Sequence, residues 1–338
     1  MTRIAILGAG SWGTALSVVL SRARKPHEIS LWARNAKLAE TLQRQRENKT
    51  YLAGVQLPDD IRATHDMAKA LAGAHIVIGA MPSVHARAVY TQALPYITNE
   101  MVFASATKGL EPETHSRMSL VLEQVLAKPG TPEPSNRIAV LSGPSFAAEA
   151  AHGEPTAVVL AARDVALAIR LQEELSGPSF RLYTNDDVLG VELAGATKNV
   201  IAIAAGACQG LGLGSNPLAA LITRGLAEMM RLTAALGARP ETLSGLAGLG
   251  DLVLTCTGAL SRNRHVGMEL GKGRKLPEIL AEMRMVAEGV DTATPLLALA
   301  REHGIALPIT EQVDAILHRG RSPKDAIREI MDRPLKRE

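Results

Sequence analysis

Arg3-Ile4-Ala5-Ile6-Leu7-Gly8-Ala9-Gly10-Ser11-Trp12-Gly13-Thr14 decides the fold. Arg3–Leu7 reads as a short buried strand, Gly8–Gly13 as a turn, and Thr14–Ser21 as the start of a helix with Leu16, Val19 and Leu20 on one side. Glu28–Trp32 reads as a second strand, closing a β-turn-α-β unit of about 30 residues. Each glycine serves the turn mechanically. Gly8 makes the turn, Gly10 lets backbone approach a pyrophosphate, and Gly13 lets helix pack on strand. The helix start then offers N–H groups to an anion. A strand–glycine turn–helix at this point is the signature of a dinucleotide-binding Rossmann domain; an ordinary glycine-rich turn is the alternative.

More strand-length apolar runs follow. They are His75–Ala80, Met101–Ser105, Ile138–Leu141 and Thr156–Leu160, most of them separated by helical patterns. Alternating strands and helices predict a mostly parallel, doubly wound sheet covered on both faces, with ligand loops at the carboxyl ends of the strands. Lys128–Asn136, with three prolines and a glycine, reads as an exposed loop. Near Asp186 the pattern changes to helices only. Val188–Ala207 and Pro217–Leu236 read as helices, Gly237, Gly304 and Gly320 as stops, and Ser322-Pro323 as a start. The expected organisation is an α/β Rossmann domain over 1–185 and an all-helical domain over 186–338.

Composition agrees with two packed domains. The chain has 338 residues, 46% apolar but only 3% aromatic, so Ala, Gly and Leu must fill close helix–helix and helix–sheet contacts. A net charge of +3 with scattered basic residues and few stacking platforms argues against nucleic-acid binding. Two cysteines, Cys208 and Cys256, form no disulfide framework, and the sequence enters its first strand without a signal-peptide pattern. With no run of about 18 uninterrupted apolar residues, no membrane span is expected. The nine histidines show no metal-ligand spacing. A cytoplasmic protein without a metal is the expectation.

The second strand bears on the cofactor. An NAD site usually has an acid about 20 residues past the turn. Here the stretch is Leu31-Trp32-Ala33-Arg34-Asn35, without one. Arg34 pairing with a 2′-phosphate favours NADP(H), with NAD(H) as the other cofactor; an Arg34 that stacks on adenine or faces solvent is the bland reading.

Several residues outside the glycine turn carry candidate chemistry. Lys198 lies mid-helix, with Ala194, Gly195, Ile201 and Ala202 as its i±3 and i±4 neighbours. Either its stem snorkels to water, or an ammonium with lowered pKa sits in a dry pocket as an acid/base for alcohol–ketone interconversion. Asn199 beside it can orient a substrate oxygen. Lys108, Gly143 and Ser145 follow predicted strands and are expected to line a crevice between the domains; a plain turn is the alternative for Gly143-Pro144-Ser145. Three glycines precede Asp251, which can bind a lysine or a substrate hydroxyl, or cap a helix. Ser261 can cap a helix to about Leu270, where an anion would meet N–H groups and the Arg262 fork; solvated arginines on a capped helix are the bland reading.

Together these segments resemble the bacterial NAD(P)-dependent glycerol-3-phosphate dehydrogenase family across nearly the whole chain. The resemblance rests on Gly8–Ala15, Ala106-Thr107-Lys108-Gly109-Leu110, Leu141–Ala147, Glu192–Asn199, Gly248-Leu249-Gly250-Asp251-Leu252 and Ser261-Arg262-Asn263, in that order. It implies reversible reduction of dihydroxyacetone phosphate to sn-glycerol 3-phosphate for phospholipid synthesis, and a second domain like the helical domain of 6-phosphogluconate dehydrogenase. It also implies residue roles. Lys198 corresponds to the proton donor and acceptor. Lys108, Gly143, Ser145, Asp251, Ser261, Arg262 and Asn263 correspond to substrate contacts. Ser11, Trp12, Arg34, Ala147, Val286 and Glu288 correspond to cofactor contacts, with Lys108 and Arg262 touching both ligands and Tyr51 on the adenine side. A homodimer is expected, with helices such as Leu218–Leu236 as its face. The competing readings are another two-domain dehydrogenase of 3-hydroxyacyl-CoA or sugar-acid type, disfavoured by Lys198 with Ser261-Arg262-Asn263, and a non-catalytic NADP(H) sensor, which would not need two lysines.

Overall fold

The structure is a computed structural model and describes residues 1–127, 133–335 and 337. The described residues cluster into two compact units, Met1–Glu111 with Ser116–Glu192, and Pro112–His115 with Leu193–Glu338. The dividing line falls inside one helix, between Glu192 and Leu193.

Among the described residues ten strands lie in the first unit: β1 (Thr2–Leu7), β2 (His27–Trp32), β3 (Glu47–Asn48), β4 (Leu52–Gln56), β5 (Ile61–Thr64), β6 (Ile76–Gly79), β7 (Val102–Ser105), β8 (Ile138–Ser142), β9 (Thr156–Ala162) and β10 (Phe180–Asn185). Eight form one sheet in the order β10-β9-β8-β7-β6-β1-β2-β5, and β3 and β4 form a separate hairpin. The order reverses at β1, whose neighbours β2 and β6 are both parallel to it. That reversal opens the loops at the carboxyl ends of β1 and β6 toward a ligand. The helices of this unit are α1 (Ser11–Ser21), α2 (Ala36–Gln45), α3 (Met67–Leu71), α4 (Ser83–Ala93), α5 (Met118–Leu126), α6 (Ala147–His152) and α7 (Val165–Leu175).

Why the runs are strands is visible in their burial. Ile4 and Ile6 face one apolar cluster with Ile76, Ile78, Val102 and Ala104, while Ala5 and Leu7 face another with Val77 and Phe103. Successive residues point to opposite faces, so a strand covered on both sides must be apolar throughout. Besides β5, an unexpected edge strand beside β2, and the unexpected β3–β4 hairpin, two further features depart from the expected pattern. β9 runs antiparallel to β8, and β10, parallel to β9, extends the sheet beyond the last expected strand. β10 alternates buried Phe180 and Leu182 with exposed Arg181 and Tyr183, as an edge strand does. Of the loop expected over 128–136, residues 128–132 lie outside the described residues, and Pro134–Arg137 form a 3₁₀ turn.

The second unit is helical among its described residues: α8 (Val188–Gly210, entering from the first unit), α9 (Ser215–Ala235), α10 (Pro240–Ser244), α11 (Asp251–Thr257), α12 (Arg262–Gly271), α13 (Leu276–Glu282), α14 (Glu288–Glu302), α15 (Pro308–His318) and α16 (Pro323–Met331). Stops and starts follow local chemistry. Gly237, Gly304 and Gly320 take positive φ, and Ser322 caps α16 by accepting from the Asp325 amide. The helix α8 has the length and hydropathy of a membrane span, but 89% of its most apolar window is buried inside the protein.

Glycines bring two helices of this unit close together. A Cβ on Gly206 would stand 1.9 Å from the Arg264 carbonyl oxygen, and one on Gly210 2.2 Å from that of Met268. From the opposite helix, Gly267 would strike the Ile203 oxygen at 1.9 Å and Gly271 the Ala207 oxygen at 2.5 Å. Two glycine pairs at i, i+4 therefore bring the backbones of α8 and α12 into direct contact.

Candidate active site

The glycine turn is built as its spacing requires. Gly8 follows β1 with φ +119°, and its amide donates to Trp32 O at 3.0 Å, tying the end of β1 to that of β2. A Cβ on Gly13 would lie 1.8 Å from Gly8 O, so α1 rests on the turn itself. Gly10 differs: its Cβ direction meets nothing within 4 Å, although its φ of −75° would suit any residue. Gly10 also caps α1 without a side-chain hydrogen bond, and no acid lies in the first turn. The Trp12 indole Nε1 in that turn is buried and has no hydrogen-bond partner among the described residues. Open space beside a glycine and a helix start without a capping side chain fit a dinucleotide pyrophosphate.

Arg34 is exposed just past β2, and the neighbouring Asn35 side chain is occupied in capping α2 through the Leu38 amide at 3.2 Å. No acid stands at this strand end. Tyr51, half-buried, sits in the β3–β4 turn, its amide donating to the Asn48 side chain at 3.2 Å.

Lys108 follows β7, and Gly143 and Ser145 follow the adjacent parallel β8. The structure brings these three together. Lys108 Nζ donates to Gly143 O at 2.7 Å and to Ser145 Oγ at 3.4 Å, and Ser145 Oγ donates to Gly143 O at 2.9 Å. Gly143 has φ +133°, and a Cβ there would crowd Val158 at 3.0 Å. Ala147 opens α6 next door, half-buried.

Lys198 neither snorkels nor ends in a purely apolar pocket. It is 6% exposed, and Nζ donates to Asp251 Oδ1 and to Thr255 Oγ1, both at 2.8 Å. The small neighbours on α8 make room for the stem, and α11 supplies the acceptors. Asp251 and Thr255 are one turn apart, so both point at the same nitrogen, and Thr255 Oγ also donates to Asp251 O at 2.6 Å. The ion pair and the threonine hydroxyl offset the cost of burying either charged group alone. The glycines before Asp251 hold the wide turn Leu246–Gly250 against α10: a Cβ on Gly248 would lie 2.1 Å from Leu243 O. Beside this pair, burial pushes the Cys256 thiol up to about 12, with Lys198 acting in the opposite sense. Both cysteines are free and buried.

Ser261 caps α12, its Oγ accepting from the Arg264 amide at 3.2 Å. Arg262 keeps accessible surface at the helix start but stands in a crowded setting, which lowers its guanidinium pKa; Glu288, the first residue of α14, opposes the shift. Asn263 is buried and spans two helices: Nδ2 donates to Asn199 Oδ1 at 2.9 Å, and Oδ1 accepts from the Gly289 amide at 2.9 Å. Asn199 thus faces Asn263. Val286 is exposed just before α14. The candidate residues of the second unit therefore form one set around the starts of α11, α12 and α14 and the middle of α8.

Three residues that the sequence reading passed over emerge. Thr255 is signalled by its i+4 spacing from Asp251. Glu192, which opens one of the quoted motifs, is structural. Its carboxylate accepts from Ser119 N at 2.7 Å, Ser119 Oγ at 2.6 Å and Arg117 at 2.5 Å at the start of α5. Asn48, fully buried, has no signal in the polar stretch around it. Among the described residues no group of three or more His, Cys, Asp and Glu is arranged to hold a metal ion.

Comparison with known proteins identifies the family. The family model described as NAD-dependent glycerol-3-phosphate dehydrogenase N-terminus matches residues 3–168, and the corresponding C-terminus model matches residues 187–328. A protein of Koribacter versatilis named glycerol-3-phosphate dehydrogenase [NAD(P)+] is 55% identical over 99% of this chain and 98% of its own. One of the same name from Acidobacterium capsulatum is 52% identical over 99% of each. The crystal structure of glycerol-3-phosphate dehydrogenase from Coxiella burnetii superposes with a TM-score of 0.92 at 42% identity, over 98% of this chain and 99% of that one. Matched end to end in sequence and in fold, the chain belongs to the NAD(P)-dependent glycerol-3-phosphate dehydrogenase family.

Proposed function

We propose that the protein reduces dihydroxyacetone phosphate to sn-glycerol 3-phosphate, reversibly, with NADPH preferred and NADH as the alternative, in the cytoplasm and as a homodimer. The observation that carries the reading is Lys198, a buried ammonium fixed between Asp251 and Thr255, with Ala194, Gly195, Ile201 and Ala202 as its neighbours one turn away on its helix. When bound, the reduced nicotinamide supplies the hydride that reaches C2 of the substrate.

The chain's own residues supply the rest. Lys198 Nζ holds the proton that passes to the C2 oxygen, and its charge stabilises the alkoxide developing there. Asp251 and Thr255 fix the direction of the lysine. In the oxidative direction the same nitrogen takes the alcohol proton back. The start of α12, with Arg262, binds the substrate phosphate through backbone N–H groups and a guanidinium fork. Asn263 and Asn199 orient the residues beside it. Lys108, held by Gly143 and Ser145, offers a second ammonium to the substrate. Gly8, Gly10, Ser11, Trp12 and Gly13 hold the pyrophosphate, Arg34 the 2′-phosphate, and Tyr51 the adenine side, with Ala147, Val286 and Glu288 completing the contacts. In this reading α8 is a core helix and spans no membrane.

The test follows NADPH oxidation by its absorbance, with and without dihydroxyacetone phosphate, for the unsubstituted protein and Lys198→Ala. Turnover must require the phosphorylated ketone and vanish in the variant while NADPH still binds. Near-normal turnover in Lys198→Ala would remove its role.

A further inference from the structure

Asn48 occupies a position that the reaction chemistry leaves unexplained. It lies at the end of β3, in a hairpin outside the main sheet, and none of its surface reaches solvent. Its amide is used at both ends. Nδ2 donates to Ala9 O at 3.0 Å and to Thr14 Oγ1 at 2.8 Å, and Oδ1 accepts from the Tyr51 amide at 3.2 Å. One side chain thus joins the middle of the glycine turn, the first turn of α1 and the loop bearing Tyr51.

The contact with Ala9 has a directional effect. The Ala9–Gly10 peptide is planar and trans, so fixing the Ala9 oxygen on one side fixes the Gly10 N–H on the other. The chain at Gly10 has no side chain of its own to restrain it and open space beyond. Without Asn48 the turn loses the partner that sets this peptide's orientation, and Tyr51 loses its tie to the turn. We infer that Asn48 is a positioning residue for the cofactor: it aims the Gly10 N–H and couples the pyrophosphate turn to the Tyr51 loop. The inference rests on the reading of the glycine turn as the cofactor site.

The test measures the Kd of NADPH by fluorescence titration, steady-state constants and Tm for the unsubstituted protein, Asn48→Ala and Thr14→Val. Thr14→Val removes one of the three hydrogen bonds at nearly constant shape. Asn48→Ala is expected to raise the NADPH Kd and KM about tenfold, and Thr14→Val about threefold, the size of one to two lost hydrogen bonds. The kcat at saturating NADPH and the KM for dihydroxyacetone phosphate stay near their original values. A purely structural role would lower Tm and the active fraction without moving the NADPH constants, and that result in either variant overturns the inference. Should Asn48→Ala fail to fold, Thr14→Val decides alone, an unchanged Kd overturning it. An unsubstituted protein that does not bind NADPH would bring down the cofactor reading itself; normal binding throughout would bring down only the role of Asn48.

Discussion

Gly206→Ala puts a methyl group where no room exists. Its Cβ would lie 1.9 Å from the Arg264 carbonyl oxygen, about 1.5 Å short of ordinary contact, and the neighbour is backbone that cannot rotate away. Either α12 moves or α8 does, and both carry candidate site residues: Ser261, Arg262 and Asn263 at the start of one, Lys198 and Asn199 on the other. Overpacking of this kind costs about 1–3 kcal/mol, and in a chain of this size each kcal/mol lowers Tm by about 2–4 °C. The larger effect should be kinetic. A misplacement near 1 Å costs roughly a hundredfold where groups must be aligned, so kcat/KM for dihydroxyacetone phosphate is expected to fall by about that factor. Gly214→Ala is the control, because a Cβ there meets nothing within 4 Å and the φ is −82°. The assay is initial-rate NADPH oxidation at varied substrate, beside thermal unfolding of each variant. A Gly206→Ala protein with lowered Tm and unchanged kcat/KM would refute the claim that the glycine crossing sets the alignment of the two helix faces.

Gly10→Val should fold normally, since its Cβ direction is open and its φ ordinary, yet lose measurable NADPH binding by calorimetry. Arg262→Ala should shrink the preference for dihydroxyacetone phosphate over dihydroxyacetone by one to two orders of magnitude, about the worth of hydrogen bonds to a charged group; an unchanged preference would move the phosphate elsewhere. Glu228, 2% exposed in α9, accepts from the amides of Ile309 and Thr310, and burial pushes its carboxyl from 4.5 up to about 7 against those hydrogen bonds and Arg231. Between these values the folded chain keeps a proton that the unfolded chain has released, so this group's stabilisation is complete below pH 4.5 and is lost as pH rises through 7, by about 3 kcal/mol. Urea midpoints from pH 5 to 8 should therefore fall with pH by a component absent in Glu228→Gln; equal slopes would refute it.

What the sequence disclosed depended on the range of the interaction. The strands β1, β6, β7 and β8 were readable because a strand covered on both faces must be apolar at every position. The helix start at Ser261 was readable because its cap is three residues from its partner. β10 was not, because an edge strand alternates and its Arg181 and Tyr183 read as loop. The reversed direction of β9 left no mark, since an apolar run looks the same either way. Lys198 was legible as an anomaly on a stripe of small residues, but Asp251, 53 positions on, was one of several partners the pattern allowed. Asn48 was invisible because Glu47-Asn48-Lys49-Thr50 is the composition of a solvated turn, and only tertiary contact buries it.

The scarcity of aromatic residues gives the glycine turn one more property. The chain has two tryptophans. Trp32 is 2% exposed and donates through Nε1 to His65 O at 3.0 Å. Trp12 lies in the first turn of α1, two residues past Gly10 and half-buried. Both tryptophans therefore lie at the glycine turn, since the Gly8 amide donates to Trp32 O at 3.0 Å. Tryptophan fluorescence that changes on cofactor addition reports on that turn, and Trp12→Phe leaves the share contributed by Trp32. Tryptophan emission overlaps the absorption of reduced nicotinamides, so cofactor occupancy becomes an optical signal without any label.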